Sequence, residues 1–274
     1  MPNTLEISKL HFKSYPSLSQ SLLQHSQRGR VIVITGGARG IGLSIARAFA
    51  SSDALSVHLL GRTASSLLSA KNDLGGQHTS CKIHTYAVDV ANEGDVNETF
   101  ESIKRSTIEE NEVSGCILIH SAAFLPLPED LDQISQEGRV GGWEWWKTFE
   151  INANGTFLVS QAFSNLVRAV SPNCMGSRDD RPDPPRTTTG NEAVIINLVS
   201  ASAYAFTAPG TSAYAASKLA AIRIMECAAY EGMTKSHRTR IVNLHPGAVM
   251  TEMWGKSGGE SVGIPCNDGK FYLF

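Results

Sequence analysis

The sequence predicts one α/β domain built on a doubly wound parallel sheet. Three observations carry that expectation. Short strand-like runs alternate with helical stretches along the chain, a rhythm that implies right-handed crossovers and a sheet covered on both faces. The first run, Val31-Ile32-Val33-Ile34, is apolar and β-branched throughout, as suits a strand buried on both faces. A chain of 274 residues is also long enough to enclose one substantial core.

The elements follow in order. After the first strand, Thr35-Gly36-Gly37 breaks the run, Gly40-Ile41-Gly42 opens a helix, and Leu43 to Ala50 continues it as an amphipathic stretch. Ser56 to Leu60 reads as a second strand leaving through Gly61-Arg62-Thr63, followed by a helix to about Leu74 and a turn at Gly75-Gly76. Ile83 to Val88 is a third strand ending in Asp89, and a charged helix covers Glu93 to Glu110. Cys116 to Ile119 makes a fourth strand, with a long loop through Gly142 and a long helix from Trp143 to Val170. Ala193 to Val199, Ser212 to Met233 and Arg240 to Leu244 give a fifth strand, a long helix and a sixth strand. Two βαβαβ halves can be counted, the plan of a dinucleotide-binding Rossmann domain spanning residues 30–274.

Two stretches fall outside the rhythm. Residues 171–192 hold Pro172, Pro182, Pro184 and Pro185, an Arg/Asp cluster and three consecutive threonines, a composition that cannot bury apolar surface and reads as a surface insertion loop. Residues 1–29 are Ser-rich, with basic residues from Lys9 to Arg28 against one acid, Glu6. A transit peptide shares that bias, but the stretch is short on arginine and lacks a clear amphipathic stripe, so it reads as a loosely ordered N-terminal arm.

Bulk properties narrow the function classes. A net charge of −2 argues against a general electrostatic footprint for nucleic acid. No apolar run approaches the length of a membrane span. The five cysteines (Cys81, Cys116, Cys174, Cys227, Cys266) are scattered without a CxxC pair, which reads as reduced thiols in a cytoplasmic setting and not as a disulfide or metal framework.

A strand feeding a helix through a glycine-rich turn leaves backbone N–H groups aimed at one spot beside the positive end of the helix dipole. Glycines there remove the Cβ atoms that would keep a phosphate away from the backbone. A bare turn with a helix start explains such a string too, but the strand–turn–helix setting favours phosphate binding. Further on, Tyr214 and Lys218 stand four apart in Tyr-Ala-Ala-Ser-Lys, on one face of a helix. An ammonium beside a phenol should lower the phenol's pKa and fit it for proton transfer near neutrality. Alone, such a pair is also what an exposed polar helix face looks like. Its setting differs, because Ile-Ile-Asn-Leu-Val-Ser just upstream carries Ser200 out at the sheet's C-terminal edge, where ligands bind in open α/β folds.

From about Val31 to Thr251 the chain resembles the short-chain dehydrogenase/reductase family. The family's Thr-Gly-x-x-x-Gly-x-Gly is met by Thr35, Gly36, Gly40 and Gly42, its Tyr-x-x-x-Lys by Tyr214 and Lys218, and its strand-five serine by Ser200. Its helix asparagine looks like Asn152, and its Pro-Gly-x-x-x-Thr is met by Pro246, Gly247 and Thr251. The resemblance implies that Tyr214 is the general acid/base and that Lys218 lowers its pKa and binds the nicotinamide ribose. It implies that Ser200 hydrogen-bonds the substrate carbonyl or alcohol, that Asn152 holds a water in the proton relay, and that Thr251 and its neighbours meet the carboxamide. Ile41, Ala122 and Val249 join the cofactor contacts on the same ground. Ser202, nearer to the tyrosine in sequence, is the alternative to Ser200.

Cofactor choice is argued from charge. NAD-preferring enzymes of this architecture place an acid at the end of strand two to hold the ribose 2′-hydroxyl, and Gly61-Arg62-Thr63 offers none. Arg39 and Arg62 suit a 2′-phosphate instead, which selects NADP(H) over NAD(H), the alternative being two solvated turn residues. Asp89 looks like the family's adenine-contacting acid, with a helix N-cap as its other reading.

The chain also departs from the family. His120-Ser121-Ala122-Ala123 replaces the usual Asn-Asn-Ala-Gly, and His120 is better read as a structural substitute than as a catalyst. After Thr251 the family usually carries a lid segment, a helix and a seventh strand. Here Glu252 to Phe274 follow, with Asp268–Phe274 either a shortened last strand or an unrelated tail, so a shortened C-terminus is expected. Trp143, Trp145 and Trp146 read as core or dimer packing before a substrate role, and Phe124, Leu125 and Leu127 are candidate substrate-lining residues. The expected function is hydride transfer between NADP(H) and a small-molecule carbonyl or alcohol, with no metal, nucleic acid or membrane partner and a homo-oligomer (dimer or tetramer) by family analogy. The alternatives are a non-catalytic NADP(H)-binding regulator or impaired truncated relative, and an epimerase or dehydratase on the same fold.

Overall fold

The structure, a computed structural model, describes residues 26–77, 80–110, 113–131, 141–170, 192–205, 209–231, 239–247, 249–253 and 264–265. Its strands are β1 (Arg30–Thr35), β2 (Ser56–Gly61), β3 (Lys82–Ala87), β4 (Gly115–His120), β5 (Glu192–Leu198) and β6 (Thr239–Leu244). All pair in parallel in the order β3-β2-β1-β4-β5-β6, the doubly wound arrangement with its switch point between β1 and β4. The helices are α1 (Gly40–Ser51), α2 (Ala64–Gln77), α3 (Glu93–Ile108), α4 (Gly141–Phe149), α5 (Gly155–Val170) and α6 (Ser212–Glu231).

Alternation along β1 divides the core. Val31 and Val33 face Val96, Phe100 and Ile103 of α3 and Phe163 and Leu166 of α5. Ile32 and Ile34 face Ala46 and Ala50 of α1 and Leu67 and Leu74 of α2. Successive side chains of a strand point to opposite faces, so one apolar run builds both halves. The inner face of α1 is small (Gly42, Ser44, Ala46, Ala50), which lets that helix lie close against the sheet. Asn92 caps α3 by accepting from the Asp95 backbone N–H at 3.2 Å.

Several elements differ from expectation. The helix α2 continues through Gly75 and Gly76, where a turn was expected. Both glycines are exposed, and the fully buried Leu74 anchors the last turn strongly enough to override their poor propensity. The long helix before β5 is interrupted by a π turn, Glu150–Asn154, between α4 and α5. Glu192, the last residue of the expected insertion, stands in β5. A parallel pair absent from the sequence reading joins β7 (Val249–Met250) to β8 (Ile264–Pro265). The bulk of the N-terminal arm, the insertion loop and Asp268–Phe274 lie outside the described residues. No helix among the described residues is long and apolar enough to cross a membrane.

Candidate active site

Sheet register aligns Thr35, Leu60, His120, Asn197 and Asn243 in one row at the carboxyl ends of the strands. Thr35 opens the glycine turn from that row, and Ser200 and Pro246 follow it after β5 and β6. The glycine turn begins with Gly36 at φ +66°, where a Cβ would come within 2.9 Å of the Ala122 backbone. Gly42 lies so close under the turn that its Cβ would meet the Gly36 carbonyl oxygen at 2.3 Å. Glycine is therefore required at both positions to fold the turn against β4 and α1. The buried Thr35 hydroxyl accepts from the N–H groups of Ser121 (3.2 Å) and Ala122 (3.1 Å), tying that loop to the turn. Arg39 stands at the N-cap of α1 without a side-chain cap, and the first turn holds no acid, so this helix start is open to an anion. Ile41 packs, partly buried, against the core on that side.

On the other side of the switch point, Ser200 leaves β5 in extended conformation and caps a short 3₁₀ turn, Ala201–Ala203. Its hydroxyl accepts from Ser202 Oγ at 2.8 Å and is hydrogen-bonded to Tyr214. Ser202, the other candidate, donates to Ser200. Burial pushes the Tyr214 phenol above its ordinary pKa, and the Ser200 hydrogen bond works against that rise. The sequence reading expected Lys218 to lower the phenol. Here the Lys218 Nζ lies 5.9 Å from the ring centroid and donates to the Leu198 carbonyl at 2.8 Å, and burial pulls its own pKa down to about 8. Desolvation thus moves the phenol up and the ammonium down, against the shift that their nearness in sequence suggests.

Asn152 sits in the π turn and is fully buried. Its amide clamps the loop after β4: Oδ1 accepts from Phe124 N–H (2.7 Å), while Nδ2 donates to Phe124 C=O (2.9 Å) and to Ser217 Oγ (3.0 Å). Both amide protons are used on protein acceptors, so the side chain positions the loop and the Tyr214 helix. Such single-turn π insertions concentrate at functional sites. His120 is buried, bonds Ser160 Oγ at 2.8 Å, and has a pKa lowered to about 3 by burial and then by the Lys218 charge. It is a neutral structural side chain, in line with the sequence reading.

The remaining expected residues distribute around this centre. Pro246 is buried, and Gly247 takes φ +80° directly after β6. Val249 enters β7, and the Thr251 methyl approaches 3.5 Å from the Cβ position of Gly40, bringing the last motif against the glycine turn. Asp89 Oδ1 accepts from Ala91 N–H at 3.0 Å, and the N-cap alternative falls to Asn92. Arg62 is exposed at the end of β2. Of Trp143, Trp145 and Trp146, Trp145 docks inward, donating to Ser212 Oγ at 3.1 Å at the start of α6, while the other two are exposed. Phe124 is partly buried and Leu127 exposed.

Three contributors escaped the sequence reading. Ser217, within the Tyr-Ala-Ala-Ser-Lys string, ties Tyr214 C=O (2.9 Å) to Asn152, and its place one turn after the tyrosine was the available signal. Gly210, at φ +73°, lets the loop before α6 touch Glu129, whose N–H donates to the Gly210 carbonyl at 3.0 Å. Glu252 pairs with Arg39 at 3.0 Å, with no local signal at all.

A phenol, a serine and a lysine at the ligand end of a parallel sheet, facing a glycine turn, match one group of known proteins. The short chain dehydrogenase family model matches residues 30–261. The chain belongs to the short-chain dehydrogenase family. It is 28% identical over 256 residues to a short chain dehydrogenase of Monascus purpureus, covering 90% of this chain and 73% of that one. Among solved structures it is similar to a short chain dehydrogenase of Burkholderia cenocepacia in complex with NADP (TM-score 0.62, 23% identity, covering 89% and 81%). It is also similar to an NAD+-bound xylitol dehydrogenase (TM-score 0.64, 22% identity, covering 83% and 74%). As a short-chain dehydrogenase the protein is an oxidoreductase of small molecules that uses a nicotinamide cofactor.

Proposed function

We propose that this short-chain dehydrogenase is an NADP(H)-dependent enzyme interconverting a carbonyl and an alcohol, with Tyr214 as general acid/base. The observation that carries the reading is the Lys218 Nζ 5.9 Å from the Tyr214 ring centroid, with Ser200 beside the phenol at the ligand end of the sheet. The residues fit a dinucleotide: the Gly36/Gly42 cradle has no room for a Cβ, and the adjoining helix start has no side-chain cap. Thr35, Gly36, Gly40, Ile41 and Gly42 would hold the pyrophosphate, and Asp89 the adenine side. Ala122, Pro246, Gly247, Val249 and Thr251 would line the nicotinamide. When bound, that cofactor supplies or accepts the hydride.

The chain's own residues do the rest. Ser200 Oγ, already supplied with a donor by Ser202, can turn its one proton from Tyr214 to the substrate oxygen. Tyr214 Oη gives a proton to the oxygen that forms as a carbonyl is reduced, and takes it back in oxidation. Lys218 uses one of its three N–H donors on Leu198, leaving the others for ribose hydroxyls. Asn152 holds the Phe124 loop so that Tyr214 and the substrate carbonyl meet at hydrogen-bond distance.

The NADP(H) preference is supported by Arg39 and Arg62 at the mouth of the cradle and by the lack of an acid at the end of β2. The reading extends to one catalytic domain over residues 30–274, carrying an arm (1–29) and an insertion within 171–192. A dimer or tetramer is supported by the exposed Trp143, Trp146 and Phe157. A cytoplasmic setting is supported by Cys81 and Cys227, which form no disulfide among the described residues. The test is to mix the protein with NADPH or NADH and a panel of small ketones and aldehydes and follow reduced-nicotinamide absorbance. Substrate-dependent consumption, faster with NADPH, is expected. Tight NADPH binding with no consumption across the panel would return the reading to a cofactor-binding regulator.

A further inference from the structure

Arg39 is not alone at the mouth of the cradle. Its Nη1 is 3.0 Å from Glu252 Oε2, with both side chains largely exposed (70% and 75%). The two residues are 213 positions apart in the chain. The contact exists because the segment after β6 returns over the glycine turn, with the Thr251 methyl 3.5 Å from the Cβ position of Gly40. The end of β2 supplies no carboxylate to this region, as Gly61-Arg62-Thr63 shows, so the acid arrives from the opposite side of the switch point.

We propose that Glu252 is a specificity-determining residue that tunes the choice between NADP(H) and NAD(H) by competing with the 2′-phosphate for Arg39. The inference rests on the reading of Arg39 as the 2′-phosphate contact. A guanidinium presents one planar fork suited to a single bidentate anion, so carboxylate and phosphate claim the same donors. Binding a phosphorylated ribose therefore requires Glu252 to release Arg39, and the displaced carboxylate then repels a phosphate nearby. An unphosphorylated ribose makes no such demand, so the effect falls on NADPH and not on NADH. Exposed ion pairs are weak, which sets the scale at about 2–5-fold in affinity. Being electrostatic and exposed, the effect shrinks as salt rises.

The experiment measures dissociation constants of NADPH and NADH by fluorescence titration for the wild-type protein, Glu252→Gln, Arg39→Ala and the double variant, at low and high salt. Glu252→Gln should tighten NADPH about 2–5-fold at low salt and less at high salt, leaving NADH unchanged. In the Arg39→Ala background the same substitution should have no effect, since the two act as a pair. If Arg39→Ala lowers NADPH preference but Glu252→Gln leaves the ratio unchanged or lowers it, the competition is refuted and the cofactor reading stands. If Arg39→Ala leaves the ratio unaltered, the cofactor reading and the competition fall together. Equal tightening of both cofactors in Glu252→Gln also overturns specificity, since the pair then acts as a simple obstruction.

Discussion

At the scale of the residue, the site depends on side chains whose bonds are already made to protein. Asn152 is the clearest case, with three hydrogen bonds from one buried amide fixing Phe124 on one side and Ser217 on the other. Asn152→Ala would strand two backbone groups and a hydroxyl at about 1 kcal/mol or more each, partly offset by water. The expected loss is about 3 kcal/mol of stability, read from the denaturant midpoint, and a loss under about 0.5 kcal/mol would deny the clamp. Thr35, Gly36, Ser200, Tyr214 and Lys218 were legible in the sequence because each motif packs its chemistry into a short window. Partners were not. Ser160 beneath His120 and Glu252 beside Arg39 lie 40 and 213 positions from the residues they meet, and no local pattern announces them. The upward shift of the Tyr214 phenol also escaped, because spacing shows that an ammonium stands near a phenol but not how deeply both are buried.

At the scale of the element, apolar period and glycine punctuation located all six strands of the main sheet to within one or two residues, since strands buried on both faces leave continuous apolar runs. The misses have physical causes. A π turn of five residues leaves no periodic mark, so Glu150–Asn154 vanished inside one long helix. Gly75-Gly76 reads as a stop by propensity, yet Leu74 holds α2 in place from the core side. The pair β7–β8 is too short to carry a pattern, two residues on each side. These misses matter for function, because the π turn carries Asn152 and β7 carries Val249.

At the scale of the whole molecule, two buried histidines link the fold to pH. His58 stacks on His84 at 4.7 Å, contacts Tyr86 Oη and Ser56 Oγ at 3.2 Å each, and has a pKa lowered to about 3 by burial and by the neighbouring His84. Ser56 in turn donates to the buried Glu110, which pairs with Lys82. His120, on the far side of β1, is lowered to about 3 as well. Each is neutral in the fold but binds a proton in the unfolded chain below the ordinary histidine value of 6.5. Their stability contribution is therefore complete above that value and is lost as pH falls toward about 3, at up to about 1.4 kcal/mol per histidine per pH unit. Urea midpoints should fall between about pH 7 and pH 5, and a flat profile would show that the histidines are not held neutral. The same architecture brings the glycine cradle and the Ser200–Tyr214–Lys218 group to opposite sides of one switch point, and that convergence is the central claim. It is tested most directly by Tyr214→Phe, which removes the proton and leaves the cradle intact. NADPH affinity should stay within about 3-fold of wild type while turnover of a substrate found in the ketone panel falls by about 100-fold or more. Undiminished turnover in Tyr214→Phe would contradict the account.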